Sequence, residues 1–310
     1  MAPVLPHDLI LVVLDLVVPP PTSKNRLARA ELCKVLTLVH RSWTLPAQQK
    51  LLEALPVSMR GGRRSHEVLE RRLAAAMGDG RRIRGMDLRL APEWSSVVSF
   101  TEQLLALVRV GVEVKRLTLR DFDRFLFPPE AVPDLCAISW HGNQSTSTSI
   151  SLVTLDILPH NLTFLSLWHV KLTAAPMPFP NVTTLILVKC ALVKSPACYP
   201  FLASFPTLRS LVWDETWPVP SHTFFQHTPN TLRNLLVGIV SALHYGTEAT
   251  GLVALPQRLK TLTFRCNAPP ADEATLKRTM DRCEAQGTRF ELILDELELF
   301  DQEAWALQVE

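Results

Sequence analysis

From about residue 54 onward one apolar pattern recurs, L-x-x-L-x-L, each copy preceded by a loop or a helix-compatible stretch. The clearest copies are Val114, Leu117, Leu119; Leu162, Leu165, Leu167; Val182, Leu185, Leu187; Leu208, Leu211, Trp213; Leu232, Leu235, Val237; and Leu259, Leu262, Phe264. Weaker copies are Ile83, Met86, Leu88 and Leu135, Ile138, Trp140. Counted between last members, the steps are 31, 21, 27, 20, 26, 24 and 27 residues. Each copy reads as one short strand with alternate residues pointing inward, and no single copy can bury that row until neighbours stack on it. A chain built this way is committed to a stacked array with a curved parallel sheet.

Steps mostly within about 20 to 29 residues, although irregular, place the array among leucine-rich repeats. Early connectors such as Glu67 to Met77 and Val97 to Val110 are amphipathic, whereas Pro176, Pro178 and Pro180 make later ones irregular or 3₁₀, so regular helices should thin out towards the middle. The stretch His141 to Ser151, rich in Ser, Thr, Asn and Gly, has no periodicity and reads as a mobile insertion. Phe290, Leu292 and Leu294 alternate as a last strand. The final 20 residues hold seven acids and no Lys or Arg, which reads as a solvated terminal cap.

The first 53 residues have a different texture. Leu9, Ile10, Val13, Leu14 and Val17 recur at helical spacing. Pro6 sits at the first helical position and Pro19, Pro20 and Pro21 end the helix. A second helix is predicted from Leu32, Val35, Leu36 and Val39, and a third beginning near Pro46 and presenting Leu51, Leu52 and Leu55. Three short helices make a bundle too small to be stable without a neighbour. The expected fold class is therefore α/β: a small helical module over residues 1–53, then an irregular leucine-rich-repeat solenoid over 54–310.

Within the module, Leu5-Pro6-His7-Asp8-Leu9-Ile10, then Val13-Leu14, and later Leu38-Val39-His40-Arg41-Ser42-Trp43 followed by Ala47, stand in an order that resembles the F-box family in its fungal form. The resemblance covers roughly residues 4 to 53. The Val17–Ala30 connector is longer than usual for that family, and His40 replaces the commoner small residue. The resemblance implies a module that binds the Skp-type adaptor of a cullin-RING (SCF-type) ubiquitin ligase, with the repeats behind it recruiting the protein to be ubiquitinated. Carried over, the adaptor face would hold Leu5, Pro6, Leu9, Ile10, Val13, Leu14, Leu38, Val39 and Trp43. The other reading is that these helices cap the first repeat, with Trp43 closing the bundle core, in a free-standing repeat scaffold without a ligase partner.

Target binding is expected on the concave sheet face, at positions between and beside the inward leucines. These include Arg116, Arg120, His141, Phe164, Trp168, Ile186, Val188, Val212, Asp214, Leu236 and Arg265. An apolar centre flanked by Arg116, Arg120 and Arg265 has the make-up of a protein-binding patch with a polar rim. Two arrangements remain open at this stage: an exposed face, or one covered by folded-over loops.

Other classes have little support in the residues. No nucleophile elbow, phosphate loop, H-E-x-x-H pair or dinucleotide fingerprint occurs, so no enzyme, cofactor or metal is expected. Cys33, Cys136, Cys190, Cys198, Cys266 and Cys283 have no zinc or redox spacing and read as reduced thiols of a cytoplasmic or nuclear protein. The apolar run Leu9 to Val18 is too short for a bilayer and is broken by Asp15, so no membrane is expected. With 32 basic against 30 acidic residues no global field draws in nucleic acid. The Arg60–Arg89 stretch has nine arginines against four acids, but no aromatic residues to stack on bases, and reads as a solvated surface rather than an RNA site.

Overall fold

The computed structural model describes residues 5–22, 24–53, 55–59, 71, 85–90, 114–120, 132–142, 149–150, 159, 161–172, 178–192, 200–216, 228–239, 256, 258–266, 273–295 and 300–309. Most of the amphipathic connectors expected at 67–77 and 97–110 lie outside them. The chain divides into two compact units, 1–139 and 140–310.

The first unit opens with three helices, α1 (His7–Val17), α2 (Arg26–Leu36) and α3 (Arg41–Leu52). Pro6 stands just before α1, its carbonyl accepting from the Ile10 amide at 3.1 Å. A proline there forfeits no helical hydrogen bond. Ile10, Leu14, Val18, Cys33 and Ala47 form the shared core, with Leu32, Leu36, Trp43 and Leu51 packed around it. Trp43 thus closes the bundle, as one of the two readings has it.

The third helix starts five residues earlier than Pro46, which sits inside it. The start is fixed by His40, whose Nδ1 accepts from the Ser42 amide at 3.2 Å. That capping bond outweighs the signal of the proline, which stands at the sixth helical position and forfeits one helical bond, the one its amide would make to the Ser42 carbonyl. Leu55, expected on this helix, begins strand β1 instead.

Strands β1 (Leu55–Met59), β2 (Gly85–Leu90) and β3 (Arg116–Arg120) follow, parallel and in register, with Met86 between Leu55 and Leu117. Buried Arg29 joins the helices: its Nη1 donates to the Lys50 carbonyl at 2.6 Å, its Nε to the Pro19 carbonyl at 3.1 Å, and Nη2 pairs with Glu53 at 2.9 Å. Strand β4 (Ala137–His141) lies at the boundary of the units.

The second unit is a parallel-sheet solenoid. Its main strands are β6 (Phe164–Trp168), β8 (Thr184–Val188), β10 (Ser210–Asp214), β11 (Asn234–Ile239), β12 (Thr261–Cys266) and β13 (Arg289–Leu294), adjacent in that order. Two-residue strands β5 (Ser149–Ile150), β7 (Lys171–Leu172) and β9 (Ala191–Leu192) pair in a second ladder. The end of the expected insertion is therefore a strand; residues 143–148 lie outside the described set.

One local recipe repeats. A turn closes each approach, with amide-to-carbonyl bonds Leu162 to Pro159, Leu208 to Phe205, Leu232 to Pro229 and Leu259 to Pro256. The strand then places Leu165, Leu185, Leu211, Leu235, Leu262 and Phe290 in one register row, all but Phe290 fully buried. After three successive strands a non-glycine residue turns the chain in the left-handed region: His169 (φ 54°), Lys189 (φ 51°) and Glu215 (φ 46°). Buried polar side chains then tie each turn to the one before. Cys190 Sγ donates to the Leu167 carbonyl at 3.2 Å and Thr216 Oγ1 to that of Leu187 at 3.0 Å. Such bonds satisfy carbonyls that a narrow turn leaves behind.

Helices are few here among the described residues, as expected: α4 (Pro200–Ala203), α5 (Glu273–Ala285) and α6 (Gln302–Val309). Helix α5 ends in a left-handed glycine, Gly287 (φ 68°), with Thr288 N–H bonding back to Cys283 at 2.8 Å and Gly287 N–H to Glu284 at 3.0 Å. That is a Schellman closure. No helix among the described residues is long and apolar enough to cross a membrane.

The acidic C-terminus departs from the expected solvated cap. Gln302, Glu303, Trp305 and Ala306 of α6 are buried, and the helix packs on β8 and β10. Trp305 and Ala306 supply the apolar contact that a count of acids overlooks.

Candidate functional site

Two surfaces bear on function, one in each unit. On α1 the apolar residues divide between opposite sides. Ile10 and Leu14 are 1% and 0% exposed, so these two expected adaptor-face residues belong to the module's own core. Residues four apart share a face, and the face holding Ile10 and Leu14 is the one covered by α2 and α3. Val13 is half-buried. The outward side carries Leu9, Val12 and Leu16, spaced by three and four, all exposed and with Leu16 at 81%; Leu5, just before the helix, is exposed as well. Leu38 (84%) and Val39, past the end of α2, are exposed as well, and so is Pro6. The sequence reading missed Val12 and Leu16 because the pattern was read from Leu9 as one face, when α1 is apolar on two.

In the second unit, the face opposite the leucines is the one expected to bind a target. The register gives three rows across it: Thr184, Ser210, Asn234, Thr261; then Ile186, Val212, Leu236, Thr263; then Val188, Asp214, Gly238, Arg265. The expectation that these positions point to solvent is not met. Phe164, Ile186, Val188, Val212, Asp214, Leu236 and Arg265 are all buried. Helix α6 packs on β8 and β10 and bonds to Asp214, and so supplies over these strands a covering that the alternative arrangement assigned to loops.

The polar contacts under α6 are specific. Gln302 Nε2 donates to Asp214 Oδ2, and Asn234 Nδ2 donates to the Val309 carbonyl at 3.1 Å. Arg265, expected on an exposed rim, instead reaches across β11 to Asp214, with Nη1 at 3.0 and 2.9 Å from its carboxylate oxygens. Its Nε meets Asp295 at 3.0 Å and Nη1 also meets Glu215 at 3.3 Å. The bridge passes over Gly238, where a Cβ would overlap the Asp214 carboxylate. Burial pushes the Asp214 carboxyl above its ordinary value, with Arg265 and Gln302 opposing that shift. Burial likewise works against the Arg265 charge, but Asp214 and Asp295 hold its pKa above the usual guanidinium value.

The remaining expected target residues are dispersed. His141 and Trp168 are half-buried and stacked, ring centroids 5.1 Å apart. Arg116 is half-buried and donates to the Pro21 carbonyl at 3.1 Å, tying β3 to the proline connector. The backbone of Arg120 ends β3; its side chain lies outside the description. No group of three or more His, Cys, Asp or Glu residues among the described ones could hold a metal ion.

No protein-family model matches the chain, and no curated protein is significantly similar to it.

Proposed function

We propose that the chain is the substrate-recognition subunit of an SCF-type cullin-RING ubiquitin ligase, its N-terminal helices docking on a Skp-type adaptor and its repeats holding the target. One observation carries the reading: α1 leaves Leu9, Val12 and Leu16 in water along one side, with Leu5 exposed just before it, while Ile10 and Leu14 on its opposite side are buried. Fully burying one such side chain contributes roughly 1.5–3 kcal/mol. A row of them left exposed is the make-up of an interface waiting for an apolar partner surface. Leu38, Val39 and Pro6 would widen the docking area. The chain would act by positioning and catalyse nothing itself. The order of the Leu-Pro and Arg-x-Trp segments supports the choice of adaptor class.

The test is co-purification of the full chain with a Skp-type adaptor, comparing wild type with Leu9→Asp/Leu16→Asp. Both positions face solvent, so the variant keeps its fold while adaptor capture falls at least about tenfold. Equal capture by both proteins refutes docking through this face. An adaptor absent from both samples returns the chain to a free-standing repeat scaffold.

A further inference from the structure

We infer that the groove at the N-terminal ends of β10, β11 and β12 binds an acidic peptide segment, and that this is where the repeats take hold of a target. The inference rests on reading the repeat unit as the target-holding part. The residue just before each of these strands is basic in three consecutive turns: Arg209, Arg233 and Lys260. Their backbones are neighbours, with Arg233 N–H bonding to the Arg209 carbonyl at 2.8 Å and Lys260 N–H to that of Arg233 at 2.6 Å. Neighbouring parallel strands lie about 4.8 Å apart, so the three cations form a ladder roughly 10 Å long. They line a cavity of about 420 Å³ together with Thr183 and Thr231.

The chemistry of the lining decides the ligand. Thr183 and Thr231 already donate their hydroxyls to carbonyls of the preceding turns, at 3.3 Å to Thr163 and 2.7 Å to Leu208. Asn234 has spent its amide on Ser210 and Val309. The donors left over are the cationic ones, with Arg233 spending only its Nη1, on the Asn230 and Leu232 carbonyls at 3.3 and 3.4 Å. Arg209 and Lys260 are exposed and, among the described residues, no ion pair engages any of the three. A neutral ligand would find little to bond with here, whereas a linear anion would meet a charge at every strand. Arginine forks suit carboxylate and phosphate oxygens alike. Helix α6 covers this face over β8 and β10, and the groove opens beside the helix end at Val309.

The test measures fluorescence anisotropy of labelled hexaglutamate, a peptide with two phosphoserines, hexaglutamine and a short single-stranded RNA, each titrated with the full chain. Hexaglutamate or the phosphopeptide should bind, weaken with added salt, and lose at least about tenfold in affinity in Arg209→Glu/Lys260→Glu. Hexaglutamine should not bind. Arg209→Gln/Lys260→Gln gives the same direction without charge reversal, should the first variant fold poorly. The inference is overturned if affinity for both acidic peptides is unchanged in the variants. It is equally overturned if affinity is lost only on replacing Arg63, Arg64, Arg81 and Arg82, or if the RNA binds more tightly through the same three residues. Adaptor capture, measured in parallel, should be untouched by the groove variants. Groove binding without adaptor capture leaves this inference standing and removes the ligase reading; the reverse removes the groove alone.

Discussion

The two ends of the molecule treat the same kind of side chain in opposite ways. In the second unit every strand residue of β8 and β10 is buried, on both faces, the other side from the leucines in part by α6. In the first unit, α1 packs Ile10 and Leu14 and leaves Leu9, Val12 and Leu16 outside. A strand in a stacked array has two faces that its own chain can cover. A helix in a bundle of three has only the side turned towards its fellows. The contrast teaches that apolar content alone predicts neither core nor interface; the number of neighbours an element has decides.

The comparison would break most visibly at Leu211. It is fully buried between Leu185 and Leu235, and Leu211→Ala should cost about 2–5 kcal/mol in urea unfolding. A loss below about 1 kcal/mol would mean the row is less tightly packed than described. Next comes Gly238→Ala, whose methyl displaces the Asp214 carboxylate from Arg265. A destabilisation of about 2–3 kcal/mol is expected, from overpacking and a weakened buried ion pair. Thermal unfolding at matched salt would measure it.

Cys190 sharpens the contrast chemically. Burial raises its thiol to about 12, despite hydrogen bonding with the Val170 and Val188 backbone that opposes the shift. Since only the thiolate reacts, at pH 8 about one molecule in ten thousand is reactive even before access is counted. Alkylation followed by mass spectrometry should leave Cys190 unmodified in the folded chain and modify it in urea. Labelling of the native protein at Cys190 would contradict its burial. The smallest effect belongs to the first unit: Leu16→Asp should change stability by no more than about 0.5 kcal/mol, although it removes a leucine. A large loss there would show that α1 packs on its outer side as well.

Much of the repeat unit was legible from residues alone. The rows through Leu185, Leu211, Leu235 and Leu262 follow from a period of two inside each strand and a longer period between strands, both local properties of sequence. The buried bonds of Cys190 and Thr216 were less visible, because a cysteine and a threonine in the same repeat position look unrelated until both are seen donating to carbonyls of the preceding turn. The candidate docking face was half legible. Leu5 and Leu9 stand where the Leu-Pro start put them, but Ile10 and Leu14 point the other way, and Leu16 went unnoticed. The arginines Arg116 and Arg265 looked like a rim because each is charged and near a strand end. One is bound to the Pro21 carbonyl and the other lies in a buried pair, contacts separated by 95 and 51 residues.

By itself, then, the order of residues determined which positions form strands and which side chains share a row, since those relations span only a few bonds along the chain. Which rows end up dry was settled by tertiary structure. Helix α6 lies on β10 across 88 residues from Asp214 to Gln302, and the burial of a face is a property of whatever comes to rest on it.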